Sequence, residues 1–314
     1  FKGSNFIDAL SEVDTVVFDK TGTLTTGSFK VKEWSFDNHN HLKTVAIIEQ
    51  NSTHPLAKAV ANGVEIGDHK VEIDTLTELA GYGIEALIAG EKWLVGTTKL
   101  LEKHNIAVPS HLTSLASTLV VCAYNNEYVG HIVLEDELKD GTAQLVEALK
   151  AVGVHKTVVL SGDKEALVES IAQSIGIEEA HGNLLPEGKV AHLERLKTDA
   201  KAVAFVGDGI NDAPVLAVSD VGVAMGAMGS DVAIETADVV LQTDKPMLLA
   251  TAIALTKRIK SVVWQNVYLS IGIKVVVMLL GILGIANIWM AVFADTGVTL
   301  LAVLNASKLI WQKK

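Results

Sequence analysis

A single cysteine in 314 residues, Cys122, excludes an internal disulfide and any metal site built from several thiolates. A basic surplus is missing too: 26 Lys and Arg stand against 37 Asp and Glu, a net charge of −11. That balance argues against nucleic acid as a partner, because a phosphate backbone draws basic surfaces. The opening residues FKGSNF carry no signal-peptide pattern, and the chain has no internal repeat and no low-complexity tract. With Phe at position 1, the chain reads as beginning inside a longer protein.

What is abundant is apolar sequence, and it is unevenly placed. The mean hydropathy of +0.34 is high for a wholly soluble chain. The excess comes from the run VVWQNVYLSIGIKVVVMLLGILGIA at 262–286 and from IWMAVFADTGVTLLAVL soon after. Each approaches the roughly 20 residues that cross a bilayer. Residues 257–314 hold seven Lys and Arg against one Asp, whereas residues 1–256 hold 19 basic against 36 acidic side chains. Lys257, Arg258 and Lys260 precede the first span, Lys308, Lys313 and Lys314 follow the second, and the link 284–288 has no basic residue. By the positive-inside rule both ends are cytoplasmic and the pair forms a hairpin in a lipid membrane.

The remaining 256 residues divide by rhythm. VDTVVF is rich in β-branched residues and bounded by polar ones, so it reads as a buried parallel strand ending at Asp19. Residues 30–134 are mixed α+β. Within them IEALIAGEKWLVG reads as one strand, and LVVCAYNNEYVGHIVL as two joined by an Asn125-Asn126 hairpin turn. From residue 135 the order becomes helix, strand, helix, strand, which predicts a parallel sheet with right-handed crossovers. The Asp19 strand most economically joins that later sheet, making the middle segment an insertion. The expected division is therefore 1–29 and 135–256 for one α/β domain, 30–134 for the inserted domain, and 257–314 for two transmembrane helices.

Three apolar strands end in chemically loaded turns: VVFDKTGT, VVLSGD and AFVGDGINDAP. In an open parallel sheet ligands bind at the carboxyl ends of the strands. Asp19, Ser161, Asp208 and Asp212 would face one crevice there, with Lys189 of LLPEGKVAHL in reach. Carboxylates brought together repel unless a cation lies between them, and Mg²⁺, a hard ion with oxygen ligands, suits Asp19 with Asp208.

DKTGT, SGD and GDGINDAP, in this order, resemble the phosphorylation domain of P-type ATPases, built on the haloacid dehalogenase fold. The resemblance covers essentially the whole chain. It implies that Asp19 attacks the γ-phosphate of ATP and becomes an aspartyl-phosphate. It implies Mg²⁺ held by Asp19, Asp208 and the carbonyl of Thr21, with Lys189 and Ser161 stabilising the transferring phosphoryl group. Asn211 and Asp212 would orient that shell. Ser161 stands where the family usually has Thr, and the hydroxyl is retained. Thr21 stands where phosphatases of the superfamily have a second Asp as general acid and base, so an aspartyl-phosphate should persist.

In the insertion, EQNSTHPLAKA followed by GYG resembles the nucleotide-binding signature of the heavy-metal class. By that resemblance Glu49 and His54 meet the adenine end of ATP, and Gly81 and Gly83 let the backbone approach it. The stretch 38–41, Asn-His-Asn-His, reads as a solvated loop, and Cys122 as a buried strand residue. In the apolar runs Lys274 and Asp295 are costly enough to suggest function. QNVYLSIGIK with AVFADTG resembles the zinc, cadmium and lead exporters, which makes Asp295 a contact of the transported cation and Lys274 its counter-charge. The Cys-Pro-Cys helices, the actuator with Thr-Gly-Glu and the N-terminal metal-binding domains have no counterpart in the sequence. The resemblance therefore implies the C-terminal part of a pump. Two other readings compete: a membrane-anchored phosphatase, which Thr21 opposes, and a non-catalytic nucleotide-binding regulator, which intact Asp19, Lys189 and Asp208 oppose.

Overall fold

The computed structural model describes residues 1–113, 115, 117–208, 212–226 and 231–311. Among them the strands, in chain order, are β1 (Thr15–Asp19), β2 (Thr25–Phe36), β3 (Thr75–Leu79), β4 (Gly83–Ile88), β5 (Glu91–Gly96), β6 (Thr118–Tyr124), β7 (Glu127–Leu138), β8 (Lys156–Leu160), β9 (Glu179–His181), β10 (Val203–Gly207), β11 (Val221–Met225) and β12 (Val239–Leu241). They form two six-stranded sheets.

The first sheet is parallel, in the order β12-β11-β10-β1-β8-β9. Every residue of β1, β10 and β11 is buried, as the apolar, β-branched sequence of strands covered on both faces requires. The two-residue strand period sends Val16 and Phe18 to one face and Val17 to the other. On the first face they meet Leu145, Val168, Leu249 and Ile253, from the helices Thr142–Ala151, Glu165–Ile175 and Leu248–Ile282. On the second face Val17 meets Leu193 and Val215, from Pro186–Asp199 and Ala213–Val218. The crossover connections thus put helices on both sides and leave the carboxyl ends of β1, β8 and β10 together at one edge.

The second sheet is antiparallel, in the order β2-β7-β6-β5-β4-β3. Strands β2 and β7 pair from Thr25↔Leu138 to Phe36↔Gly130, so the outgoing and returning chains of the insertion share one stem. The Asn125-Asn126 hairpin is present, both residues having positive φ. IEALIAGEKWLVG is two strands rather than one: Ala89 at φ 51° and Gly90 at φ 79° turn the chain between β4 and β5. Ala is an uncommon turn residue, so only Gly90 signals the break. The Asn-His-Asn-His stretch is not a loop either. Asn38 accepts from the Asn40 N–H at 2.9 Å and caps the helix His39–Glu49, and the His41 ring packs 5.3 Å from those of Trp93 and Tyr124. Cys122 is fully buried in β6.

The helices Leu248–Ile282 and Ile288–Trp311 are long and apolar enough to cross a membrane. The first spans 35 residues and begins before the apolar run at 262–286, because its opening turns bury Leu249, Ala250 and Ile253 in the core of the parallel sheet. It ends at Ile282, and Gly284 at φ 72° reverses the chain.

Candidate active site

The turn after β1, Lys20–Leu24, departs from helical geometry at Thr21 and Gly22, where φ is −78° and +74°. A Cβ on Gly22 would fall 1.6 Å from Asp208 Oδ2, so glycine is required both for the backbone angle and for the approach of that carboxylate. Lys189, on the first turn of Pro186–Asp199, reaches into the edge. Its Nζ donates to Asp19 Oδ1 at 2.5 Å and to Asp212 Oδ1 at 2.8 Å. Carboxylate oxygens of Asp19, Asp208 and Asp212 lie within 4.8 Å of one another. Ser161, at the end of β8, is buried and its Oγ accepts from the Asp163 N–H at 3.2 Å.

Crowding of three carboxylates around one ammonium sets the electrostatics. Burial and the neighbouring Asp212 push Asp19 up to about 7, with Lys189 only partly countering them. Burial and Asp212 likewise push Asp208 up to about 6. Burial pulls Lys189 down, but Asp19 and Asp212 outweigh it and hold its ammonium above the ordinary lysine range. Excess negative charge with oxygen donors only is what a hard divalent cation relieves. A cleft of about 360 Å³ holds Asp19, Thr21, Ser161, Lys189, Asp208 and Asp212 together. Asn211 lies outside the described residues.

Two buried lysines that sequence reasoning did not single out brace this turn. Lys20 pairs with Asp163 at 2.5 Å and Asp136 at 3.1 Å, and Thr21 Oγ1 donates to Asp163 Oδ2 at 3.3 Å. Lys139 donates from Nζ to the Gly22 carbonyl and pairs with Asp244 at 2.6 Å. The only hint in the sequence was Lys20 inside DKTGT, since both partnerships are long-range.

A second cleft, about 600 Å³, is lined both by the antiparallel sheet and by residues of the helices His39–Glu49 and Pro55–Gly63, and Glu49, His54, Gly81 and Gly83 all border it. Glu49 is buried, and burial reinforced by Glu78 pushes it up to about 7. Ser52 Oγ donates to Glu78 Oε1 at 2.8 Å and accepts from the His54 N–H at 3.2 Å. His54 Nδ1 accepts from the Leu56 N–H at 3.2 Å and caps the helix Pro55–Gly63. In a neutral ring that leaves the proton on Nε2, free to donate. The two glycines differ. Gly81, at φ +77°, opens onto empty space, whereas a Cβ on Gly83 would fall 2.2 Å from the Val95 carbonyl. Gly83 is therefore needed for the close approach of β4 to β5.

Between the two apolar helices, Lys274 Nζ lies 3.0 Å from Asp295 Oδ1, and both line a crevice of about 270 Å³ with Val277, Met278, Ala291 and Ala294.

Residues 13–220 match the haloacid dehalogenase-like hydrolase family. A zinc-transporting ATPase of Synechocystis sp. is 45% identical over 98% of this chain and 43% of its own length. A cadmium, zinc and cobalt-transporting ATPase of Bacillus subtilis is 44% identical over 98% of this chain and 45% of its own length. The chain thus spans less than half the length of these relatives. The crystal structure of a zinc-transporting PIB-type ATPase in the E2.Pi state superposes with a TM-score of 0.86 at 34% identity, over 98% of this chain and 51% of that one. The catalytic domain of the CPx-ATPase CopB-B, solved for its conformational changes upon nucleotide binding, matches 81% of this chain and 94% of its own, at 32% identity and a TM-score of 0.65.

Proposed function

The chain belongs to the haloacid dehalogenase-like hydrolase family, in its branch of metal-transporting P-type ATPases, and we propose that it is the ATP-using, cation-releasing part of an exporter of zinc, cadmium or lead. The observation that carries this reading is the cluster at the tip of β1, where Lys189 joins Asp19 to Asp212 beside Asp208. We assign 1–29 and 135–256 to a phosphorylation domain, 30–134 to a nucleotide-binding domain and 257–314 to the membrane. The actuator and the earlier membrane helices of such a pump would be supplied by segments other than these.

In this reading a carboxylate oxygen of Asp19 attacks the γ-phosphorus of ATP. The bond to the β-phosphate oxygen breaks, and ADP leaves with that electron pair. Lys189 and the Ser161 hydroxyl donate to the phosphoryl oxygens, and Asp212 holds Lys189 in place. Asp19, Asp208 and the Thr21 carbonyl are the candidates to hold Mg²⁺, an oxygen-only set consistent with the charge crowding there. When bound, the ion would neutralise phosphate charge in transfer. Thr21 has no ionisable proton for general acid or base work, so the acyl phosphate waits for water to be activated by a group beyond this cluster. Asn211 is proposed to orient the same shell. In the second cleft Glu49 and His54 Nε2 are proposed to meet the adenine, with Gly81 leaving room for it.

Lys274 and Asp295 are proposed as the release site for the transported cation. A lone charge in hydrocarbon costs a few kcal/mol, about 2.5–3.5 on insertion scales, and pairing offsets it. A cation arriving at Asp295 displaces the Lys274 ammonium, and the returning ammonium expels the cation. The test is Asp295→Ala in the full-length protein reconstituted in vesicles. Zinc- or cadmium-stimulated ATP hydrolysis should vanish with ATP binding intact. Full stimulation and unchanged cation stoichiometry would make the pair structural.

A further inference from the structure

The geometry points to Lys139 and Asp244 as a strut that ties the turn carrying Asp19 to the root of the first membrane helix, so that the state of one is transmitted to the other. The role proposed is positioning, and its use in transport rests on the reading above.

Lys139 is 4% exposed and stands just after β7, where the inserted sheet returns to the parallel one. Its backbone N–H donates to the Leu24 carbonyl at 3.0 Å, and its Nζ donates to the Gly22 carbonyl. The middle and the far end of the turn after Asp19 are therefore held by one residue. The same Nζ pairs with Asp244 at 2.6 Å. Asp244 lies four residues before the helix Leu248–Ile282, whose first turns are locked into the sheet core through Leu249 and Ile253 and whose later turns carry Lys274. The Lys139 ammonium, itself buried, also lies near enough to Asp208 to pull that carboxyl down, so it is held among carboxylates and a carbonyl that it cannot lose without a cost in stability.

The surroundings make the connection stiff. Thr142 Oγ1 donates to the Leu24 carbonyl at 3.3 Å, and Lys257 Nζ donates to the Val152 carbonyl at 2.5 Å, pinning the helix root to the loop after Thr142–Ala151. Lys260 pairs with Glu12 on the helix Ser4–Glu12. Among these links, Lys139 is the one whose charge touches the catalytic turn and the approach to the helix at once. A displacement of the turn, such as phosphorylation of Asp19 would produce, pulls on Asp244 through one side chain. Packed elements of this kind pass small shifts as rigid pieces.

The experiment uses the full-length protein in detergent and reads amide hydrogen exchange without ligand and with ATP and Mg²⁺. Without ligand, Asp244→Asn should speed exchange in residues 20–24 by about tenfold or more, Lys139→Met should do the same, and the double variant should add nothing. Unchanged exchange at 20–24 in Asp244→Asn overturns the strut, whatever the protein's activity. With ATP and Mg²⁺, exchange at 244–250 should respond in the wild type and in Lys139→Arg. In Asp244→Asn that response should be lost. A response that survives in Asp244→Asn also overturns the proposal. A wild type that carries no label at Asp19 counts against the ATPase reading alone, because the ligand-free arm still decides the strut.

Discussion

A methyl group on Gly22 would lie 1.6 Å from Asp208 Oδ2, so the turn that follows Asp19 and the carboxylate at the end of β10 are in contact, backbone against side chain. Gly22→Ala must either push Asp208 aside or flatten a turn held at φ +74°, where an L-residue pays roughly 1–2 kcal/mol. The fold, buried elsewhere, should survive with a small loss of melting temperature. Acyl-phosphate formation should fall about 100-fold or more, as expected when a reacting group is misplaced by about 1 Å. Circular dichroism and labelling with [γ-³²P]ATP read the two effects separately.

Glu49 gives a pH signature. Its carboxyl is held at about 7 in the fold against an ordinary 4.5, so the folded chain keeps a proton that the unfolded chain gives up. Between those values folding binds a proton, and the contribution of Glu49 to stability falls as pH rises from about 4.5 through 7. Glu49→Gln, neutral throughout, should match the wild type near pH 4.5 and exceed it at pH 8 by up to about 3 kcal/mol. Urea unfolding at the two pH values checks it. Equal differences at both would mean that Glu49 titrates in the fold as it does in the unfolded chain.

His54 has two duties that substitution can separate. His54→Ala loses both the cap on Pro55–Gly63 and the Nε2 donor, whereas Asn at this position restores a good cap without that donor. Both variants should bind ATP more weakly by about 1–3 kcal/mol. Only His54→Ala should also lose about 0.5–2 kcal/mol of stability. Isothermal titration with full affinity in His54→Asn would remove His54 from the nucleotide site.

Much of this was legible because local sequence and global fold agree. The strand before Asp19 is β-branched and fully buried, the hairpin at Asn125-Asn126 uses residues that accept positive φ, and the apolar runs lie in the two long helices. Glu49, His54, Gly81 and Gly83 proved to share a cleft, and Lys274 to face Asp295. Other features were hidden for physical reasons. The turn between β4 and β5 is carried partly by Ala89, which has no turn preference. His41 looked solvated because the three residues before it are polar, while its contacts, Trp93 and Tyr124, come from strands far along the chain. Lys139 reads as a surface charge until its partners, 117 residues before it and 105 after it, are brought alongside. The helix root at Leu248 was hidden because its apolar face serves the soluble core rather than lipid.

The role of Asp19 as nucleophile is tested most directly by incubating the full-length protein with [γ-³²P]ATP and Mg²⁺, quenching in acid and mapping the label. The prediction is a stable, hydroxylamine-sensitive label on the peptide containing Asp19, absent in Asp19→Asn and slow to decay because Thr21 supplies no acid or base. A wild type that releases phosphate over many turnovers without accumulating label, or a label that persists in Asp19→Asn, would contradict it.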